Sequence, residues 1–318
     1  MNVQKKLCNL LFGVVVATTF YACQPSKYDQ GMVNLFLKGN VNLKKQQYKQ
    51  AIYYYTEGIK RDSSFSEIYN NLGIALFNMG HYSRAIHHYN KAIALDSVLM
   101  DAYYNRANAR FASDDLKGAL ADYNVVAAQY QDSSYVFFRR ATTYLQLKRY
   151  NDAIKDLDKV IRLNPNNSDA LGSRGYLLYK VKKYEAAAKD LQKAIELNKR
   201  QDLAYANLGL VKAAQGDTTA AFVWLDKALE INVVEAYILG NRAWLYAENN
   251  QLDKSWKDIE EALKYDDKSG WAYFARGVYY LKKEEGQKAL DDFAKAGTFA
   301  RHLTNLKVYE DKAKALLK

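Results

Sequence analysis

One spacing constrains this chain more than anything else in it: a small residue recurs every 34 positions, at Gly39, Gly73, Ala107, Ala141, Gly175, Gly209, Ala243 and Gly277. Twelve residues after each comes a second small one, at Ala51, Ala85, Ala119, Ala153, Ala187, Ala221, Ser255 and Ala289. Four further on comes a large one: Tyr55, Tyr89, Tyr123, Leu157, Leu191, Leu225, Ile259 and Phe293. Eight units without an insertion describe stacked copies, each too small to bury its own apolar face alone. Within a unit the apolar and small residues fall at i, i+3, i+4 and i+7, as in Tyr69, Leu72, Gly73 and Leu76, so the local period is helical. Two prolines in 318 residues leave long helices uninterrupted.

The clearest unit is Ser66–Leu99, SEIYNNLGIALFNMGHYSRAIHHYNKAIALDSVL. Its Tyr69, Leu72, Gly73, Gly80, Tyr82, Ala85, Tyr89 and Ala92 fall where the tetratricopeptide repeat carries its signature, and the 34-residue unit resembles that family. The resemblance covers residues 32–303. It implies an all-α, right-handed superhelical solenoid of eight helix-turn-helix units, closed by a capping helix over 304–318. In that last segment the pattern gives Leu306, Tyr309, Ala313 and Leu316 to the core and Lys307, Asp311 and Lys314 to water. Asp96, Asn164, Asn198, Asn232 and Asp266 suit turns at unit ends. Ser66, Ser134, Ser168 and Asp202 are expected to cap the helices that follow.

The N-terminus reads differently. Lys5 and Lys6 precede the apolar run Leu7–Phe20, and polar sequence begins after Cys23. A basic start, a short apolar stretch and a small residue, Ala22, before the cut define a secretory signal over 1–22. Phe20-Tyr21-Ala22-Cys23 resembles a bacterial lipobox, although Phe20 and Tyr21 depart from its usual Leu and small residue. Cleavage leaves Cys23 as the only cysteine and a candidate lipid attachment site, with residues 23–31 as lipidated end and linker. An ordinary exported protein with a free thiol is the alternative at that residue. Net charge is +11 for the whole chain and +9 without the two lysines of the signal.

Nothing in the chain carries the mark of a catalyst or a cofactor site. There is no Walker loop, G-x-S-x-G, H-E-x-x-H or C-x-x-C. His87 and His88 are adjacent on a helix and point about 100° apart, so they do not chelate together. Lys44-Lys45, Lys148-Arg149, Lys182-Lys183 and Lys282-Lys283 sit where first helices end, and there they complement the helix dipole. For an exported chain, nucleic acid is not an expected partner.

Most of the 27 tyrosines belong to packing positions, but others fall on the face that the family resemblance assigns to a concave groove. That face is expected to hold Asn70, Tyr104, Asn108, Tyr135, Phe138, Tyr176, Tyr179, Tyr237, Trp244, Trp271 and Phe274. Large aromatics without a packing duty mark an interaction surface. Asn71, Asn105, Asn207 and Asn241 occupy one equivalent position, and the resemblance implies that such amides bond the backbone of a bound peptide, since an amide both donates and accepts. The lysine clamp that some relatives use for a terminal carboxylate is absent, because no unit has Lys at its first position (Phe36, Asn70, Tyr104, Phe138, Gly172, Ala206, Gly240, Phe274). The reading is a non-catalytic adaptor of the bacterial envelope, on the outer membrane, tethered by lipid and holding a segment of a protein partner. A glycan- or wall-binding module is the alternative, and the oligomeric state stays open.

Overall fold

The computed structural model describes residues 28–300, 303 and 305–318; the signal segment 1–22 and Cys23 lie outside them. Seventeen helices and no strand are found among the described residues. The first helices of the eight units are α1 (Gln30–Lys44), α3 (Ser66–Asn78), α5 (Met100–Ala112), α7 (Ser134–Gln146), α9 (Ser168–Lys180), α11 (Asp202–Ala214), α13 (Ala236–Glu248) and α15 (Gly270–Lys282). The second helices are α2 (Tyr48–Arg61), α4 (Tyr82–Leu95), α6 (Leu116–Gln129), α8 (Tyr150–Leu163), α10 (Tyr184–Leu197), α12 (Thr218–Ile231), α14 (Leu252–Tyr265) and α16 (Gly286–Phe299). The last helix, α17 (Leu306–Ala315), packs on α16 and closes the end of the stack.

Each pair is held by the small and large residues of the repeat. The large residue of every second helix, from Tyr55 to Phe293, is almost wholly buried against the small residue of its own first helix. A Cβ on Gly73 would lie 2.5 Å from the Tyr89 ring, and one on Gly277 would lie 2.4 Å from Phe293. The missing side chain therefore sets the separation of the two helices. Between them the chain turns through one left-handed residue, again every 34 positions. It is glycine at Gly80 and Gly216, but Gln46, Asp114, Lys148, Lys182, Asn250 and Glu284 hold the same positive φ elsewhere. Lys148 and Lys182 thus belong to the turn, two residues beyond the last residue of the helix.

The turns between units use side chains as acceptors. Asp96 Oδ1 accepts from Val98 N at 3.0 Å, Asn198 Oδ1 from Arg200 N at 3.0 Å, and Asp266 Oδ1 from Lys268 N at 3.0 Å. These short loops shift the helix starts from the expected places. Ser66, Ser134, Ser168 and Asp202 are the first helical residues rather than caps. Among the residues that do supply capping oxygens, Asn167, Asp115 and Asp217 accept from N–H groups three residues on at 2.9–3.0 Å, and Asp29 does the same for α1 at 2.7 Å. The reading of Leu316 as a core residue is also corrected: α17 ends at Ala315, and Leu316 is 44% exposed.

A second recurring pair lies one position before the small residue, where the sequence reading drew nothing. Arg106, Arg140, Arg174, Arg242 and Arg276 each grip an aspartate sixteen residues on: Asp122, Asp156, Asp190, Asp258 and Asp292. For Arg140 the two bonds are both 2.7 Å, and a third, at 3.0 Å, reaches Asn124 on the second helix of the preceding unit. The planar guanidinium fork thereby ties three helices together. Units lacking the arginine also lack the aspartate, carrying Lys38 and Tyr54, Leu72 and His88, or Leu208 and Trp224. Arg140→Leu alone is expected to cost about 3 kcal/mol, because it strands the buried Asp156 carboxylate. Adding Asp156→His, the pair of unit 2, is expected to recover most of that loss, measured by urea unfolding of both variants.

His88 stacks near Tyr69, with ring centroids 6.2 Å apart. Burial, then the neighbouring His87 and Arg84, pulls its pKa down from 6.5 to about 4. Between those values the unfolded chain binds a proton there that the folded chain does not. Stability is therefore expected to fall as pH drops from 6.5 toward 4. His88→Asn is expected to flatten that part of the pH profile, read as the urea midpoint of wild type and variant side by side.

Candidate groove on the concave face

Consecutive first helices touch one another more than consecutive second helices do, so the first helices line the inside of the curve. The curve is uneven. It tightens at units 7 and 8, where a Cβ on Gly240 would meet the backbone of Trp271 and Ala272 at 2.9 Å. This brings α13 and α15 nearly into backbone contact and splits the concave face into two different halves.

In the half formed by units 5–8, the expected groove residues pack on one another. Tyr179 and Lys180 of α9, Leu210 of α11, Asn241 and Trp244 of α13, and Trp271 and Phe274 of α15 converge, with Leu303 and Asn305, around a cavity of only about 30 Å³. Lys180 Nζ lies 5.4 Å from the Tyr176 ring centroid and 5.8 Å from that of Trp271. Burial, and next Lys148, lowers its pKa to about 8. Burial likewise raises Tyr179 to about 12 and puts Tyr237 well above the ordinary tyrosine value.

The C-terminal helix seals this half. Trp244 Nε1 donates to Tyr309 Oη at 3.2 Å, and Tyr309 Oη donates to Glu248 Oε1 at 2.9 Å. The Tyr309 ring also meets Phe274 edge-on at 5.1 Å. Phe274 is consequently buried, at 4% exposure, and is not a groove-surface residue. Tyr237, Trp244 and Trp271 are only partly exposed and serve the packing of units 7 and 8.

The amides need the same correction. Asn241 is fully buried and donates to Tyr237 O at 2.8 Å, while Asn207 is 8% exposed and accepts from Tyr237 Oη at 2.9 Å. In units 1–3 the amides bond each other: Asn105 Nδ2 to Asn70 Oδ1 at 3.0 Å, Asn70 Nδ2 to Asn71 Oδ1 at 3.1 Å, and Asn71 Nδ2 to Asn40 Oδ1 at 2.8 Å. Tyr55 Oη closes the ladder on Asn40 at 2.7 Å. Asn70, 7% exposed, is a rung of this ladder rather than part of an open surface. These side chains join unit to unit, since the bonded partners lie 30, 31 or 35 residues apart, on consecutive first helices.

An open surface remains at units 3 and 4. Tyr135 is 54% exposed and the Arg139 guanidinium stands 5.4 Å from its ring centroid, donating to its hydroxyl at 3.4 Å. Among the described residues no carboxylate lies within salt-bridge distance of Arg139. The Tyr104 ring packs at a tilt against Tyr135, 5.2 Å between centroids, and its hydroxyl, followed by Arg139, holds the Tyr135 pKa below the usual tyrosine value. Asn108 accepts from the core hydroxyl of Tyr123 at 2.6 Å, and both Asn108 and Phe138 are half-buried. Arg139 was not among the residues expected from sequence. Its signal there is a single basic residue at the position where neighbouring units carry Asn71, Asn105, Asn207 and Asn241.

An array of helix pairs with first helices inside the curve is an α-solenoid, a class whose inner face meets partners. Family models described as Tetratricopeptide repeat match residues 66–97, 134–167 and 174–232, and one described as TPR repeat matches 39–80. The chain is a tetratricopeptide-repeat protein, and that fold serves as a scaffold for protein interaction. A tetratricopeptide repeat protein from Parabacteroides merdae superposes with a TM-score of 0.70 at 19% identity, covering 78% of this chain and 98% of that one. YrrB, described as a TPR protein with an unusual peptide-binding site, gives 0.51 at 24% identity, over 56% of this chain and 92% of its own. PilF of Pseudomonas aeruginosa gives 0.55 at 18% identity, over 64% and 93%. No curated protein matches the chain.

The seal over units 7 and 8 is open to test. Tyr309→Phe removes both polar contacts of that hydroxyl while keeping its ring, and is expected to cost about 1 kcal/mol. Hydrogen exchange is expected to quicken in α17 and α15 and to stay unchanged in α3.

Proposed function

We propose that this chain is a non-catalytic adaptor of the bacterial envelope that holds a protein segment on the concave face of units 3 and 4. The observation that carries the reading is the exposed Tyr135–Arg139 pair, flanked by Tyr104, Asn108 and Phe138, on the half of the groove that the chain does not fill itself. The aromatic rings supply apolar area at little entropic cost, since each has only two side-chain torsions to fix. The Arg139 guanidinium supplies donors for a carbonyl or carboxylate of the partner. The same fold carries a peptide-binding site in YrrB.

The envelope part of the proposal rests on the first residues of the sequence. The basic start, the apolar run Leu7–Phe20 and the Ala22-Cys23 step support export followed by lipid attachment at Cys23, on the outer membrane. The six residues Gln24–Asp29 that precede α1 then span at most about 21 Å, so the first unit stays close to the lipid.

A photo-cross-linking residue placed at position 135 tests the groove in native membranes, with one at the exposed Tyr53 of α2 as control. One protein captured at 135 and not at 53, and lost when Arg139→Ala and Tyr104→Ala are added, is the expected outcome. Equal capture at both positions, or retention only on purified wall polysaccharide, would overturn the reading.

A further inference from the structure

The open N-terminal end of the stack has a surface that protein packing does not explain. In internal units the residue equivalent to Val41 is buried by the unit before it: Ala75, Ala109, Thr143 and Val211 are all at 0% exposure. No unit precedes α1 among the described residues. Val41 is 53% exposed and Leu37, one turn earlier, is 45% exposed. A terminal unit normally turns a polar outer face to water, because solubility requires it. This one does not.

The residues around the two apolar side chains point to what covers them. Asn34, Leu37, Lys38, Val41, Lys44 and Lys45 form one exposed stripe at helical spacing along α1 and its C-cap. Three are lysines, and α1 contains no acidic residue at all. A helix face that combines apolar side chains with lysines matches the boundary between the headgroups and acyl chains of an anionic bilayer. Each lysine near such a surface gains roughly fivefold in partitioning. Chain length places the bilayer within reach, since Cys23, the proposed lipid attachment site, precedes Gln30 by seven residues, or about 25 Å fully extended.

A second copy of the chain is the competing occupant, and charge argues against it. Head-to-head stacking would set Lys38, Lys44 and Lys45 against themselves. The other end is basic too: α17 and the residues after it carry Lys307, Lys312, Lys314 and Lys318 against Glu310 and Asp311. Only an anionic surface complements the face as it stands.

We propose that the outward face of α1 docks on an anionic phospholipid membrane, with Leu37 and Val41 entering the headgroup boundary and Lys38, Lys44 and Lys45 meeting lipid phosphates. The stack then stands end-on to the bilayer, with the groove of units 3 and 4 held away from the surface. This inference rests on the membrane tethering proposed above but adds a contact that a tether alone does not make.

The full chain, reconstituted on phosphatidylcholine vesicles with and without phosphatidylglycerol, separates the two. Flotation reads the tether, and hydrogen exchange of α1 reads the docking. On vesicles with phosphatidylglycerol, α1 amides are expected to exchange about tenfold more slowly than on phosphatidylcholine alone, with α7 unchanged. Leu37→Asp/Val41→Asp and Lys38→Gln/Lys44→Gln/Lys45→Gln alter only exposed side chains. Each is expected to abolish the protection while flotation persists. A chain that floats with no slowing in α1 would overturn the docking and leave the tether standing. Protection that follows protein density and ignores lipid charge would overturn it in favour of a second copy. A chain that does not float would overturn tether and docking together.

Discussion

The close approach of a first helix to its own second helix governs the rest of this molecule. A glycine or alanine faces a tyrosine, leucine, isoleucine or phenylalanine sixteen residues on, eight times over, and each large side chain is buried almost completely. Close packing makes the separation nearly fixed, since even one methylene in such an interface is felt. Once each pair has one geometry, each unit meets the next in nearly the same way, and a continuous core forms along the stack. The tyrosines among these large residues do a second job. Tyr55 and Tyr123 pass through the pair and present their hydroxyls to Asn40 and Asn108 on the inner face.

Buried ion pairs reinforce the stack without being essential to it. An arginine-aspartate pair joins helices in five units, yet two units put leucine with histidine or tryptophan in the same two places. The joint exchange of both members is what electrostatics demands, because either charge left alone in a dry site is expensive. Additional arginine bonds to Asn90, Asn124, Asp158 and Asp226 reach the preceding unit, so these residues also help fix the angle between units.

The inner face is where small differences between units become functional differences. Gly240 permits near-backbone contact between α13 and α15, and the resulting tight end is filled by aromatic rings and by Tyr309 of α17. Farther from that end the curve is more open, and Tyr135 and Arg139 keep their exposure. One array thus carries a self-filled half and an available half, although the same repeat is written in both.

Sequence alone determined the helical period, the number of units, the pairing of small with large residues and the presence of a closing helix. All of these depend on contacts within one unit or between neighbours, where spacing along the chain fixes spacing in three dimensions. The arginine-aspartate pairs were legible by the same rule, at a constant separation of sixteen, though buried charge in a helix pair is easily read as solvated surface. What only the tertiary structure decided is which concave residues remain free. Lys180 meets Trp271, and Trp244 meets Tyr309, across 91 and 65 residues respectively, because small rotations between units accumulate along the superhelix. No local pattern records that sum, so Phe274, Asn207 and Asn241 looked like groove residues while the curve had already buried them.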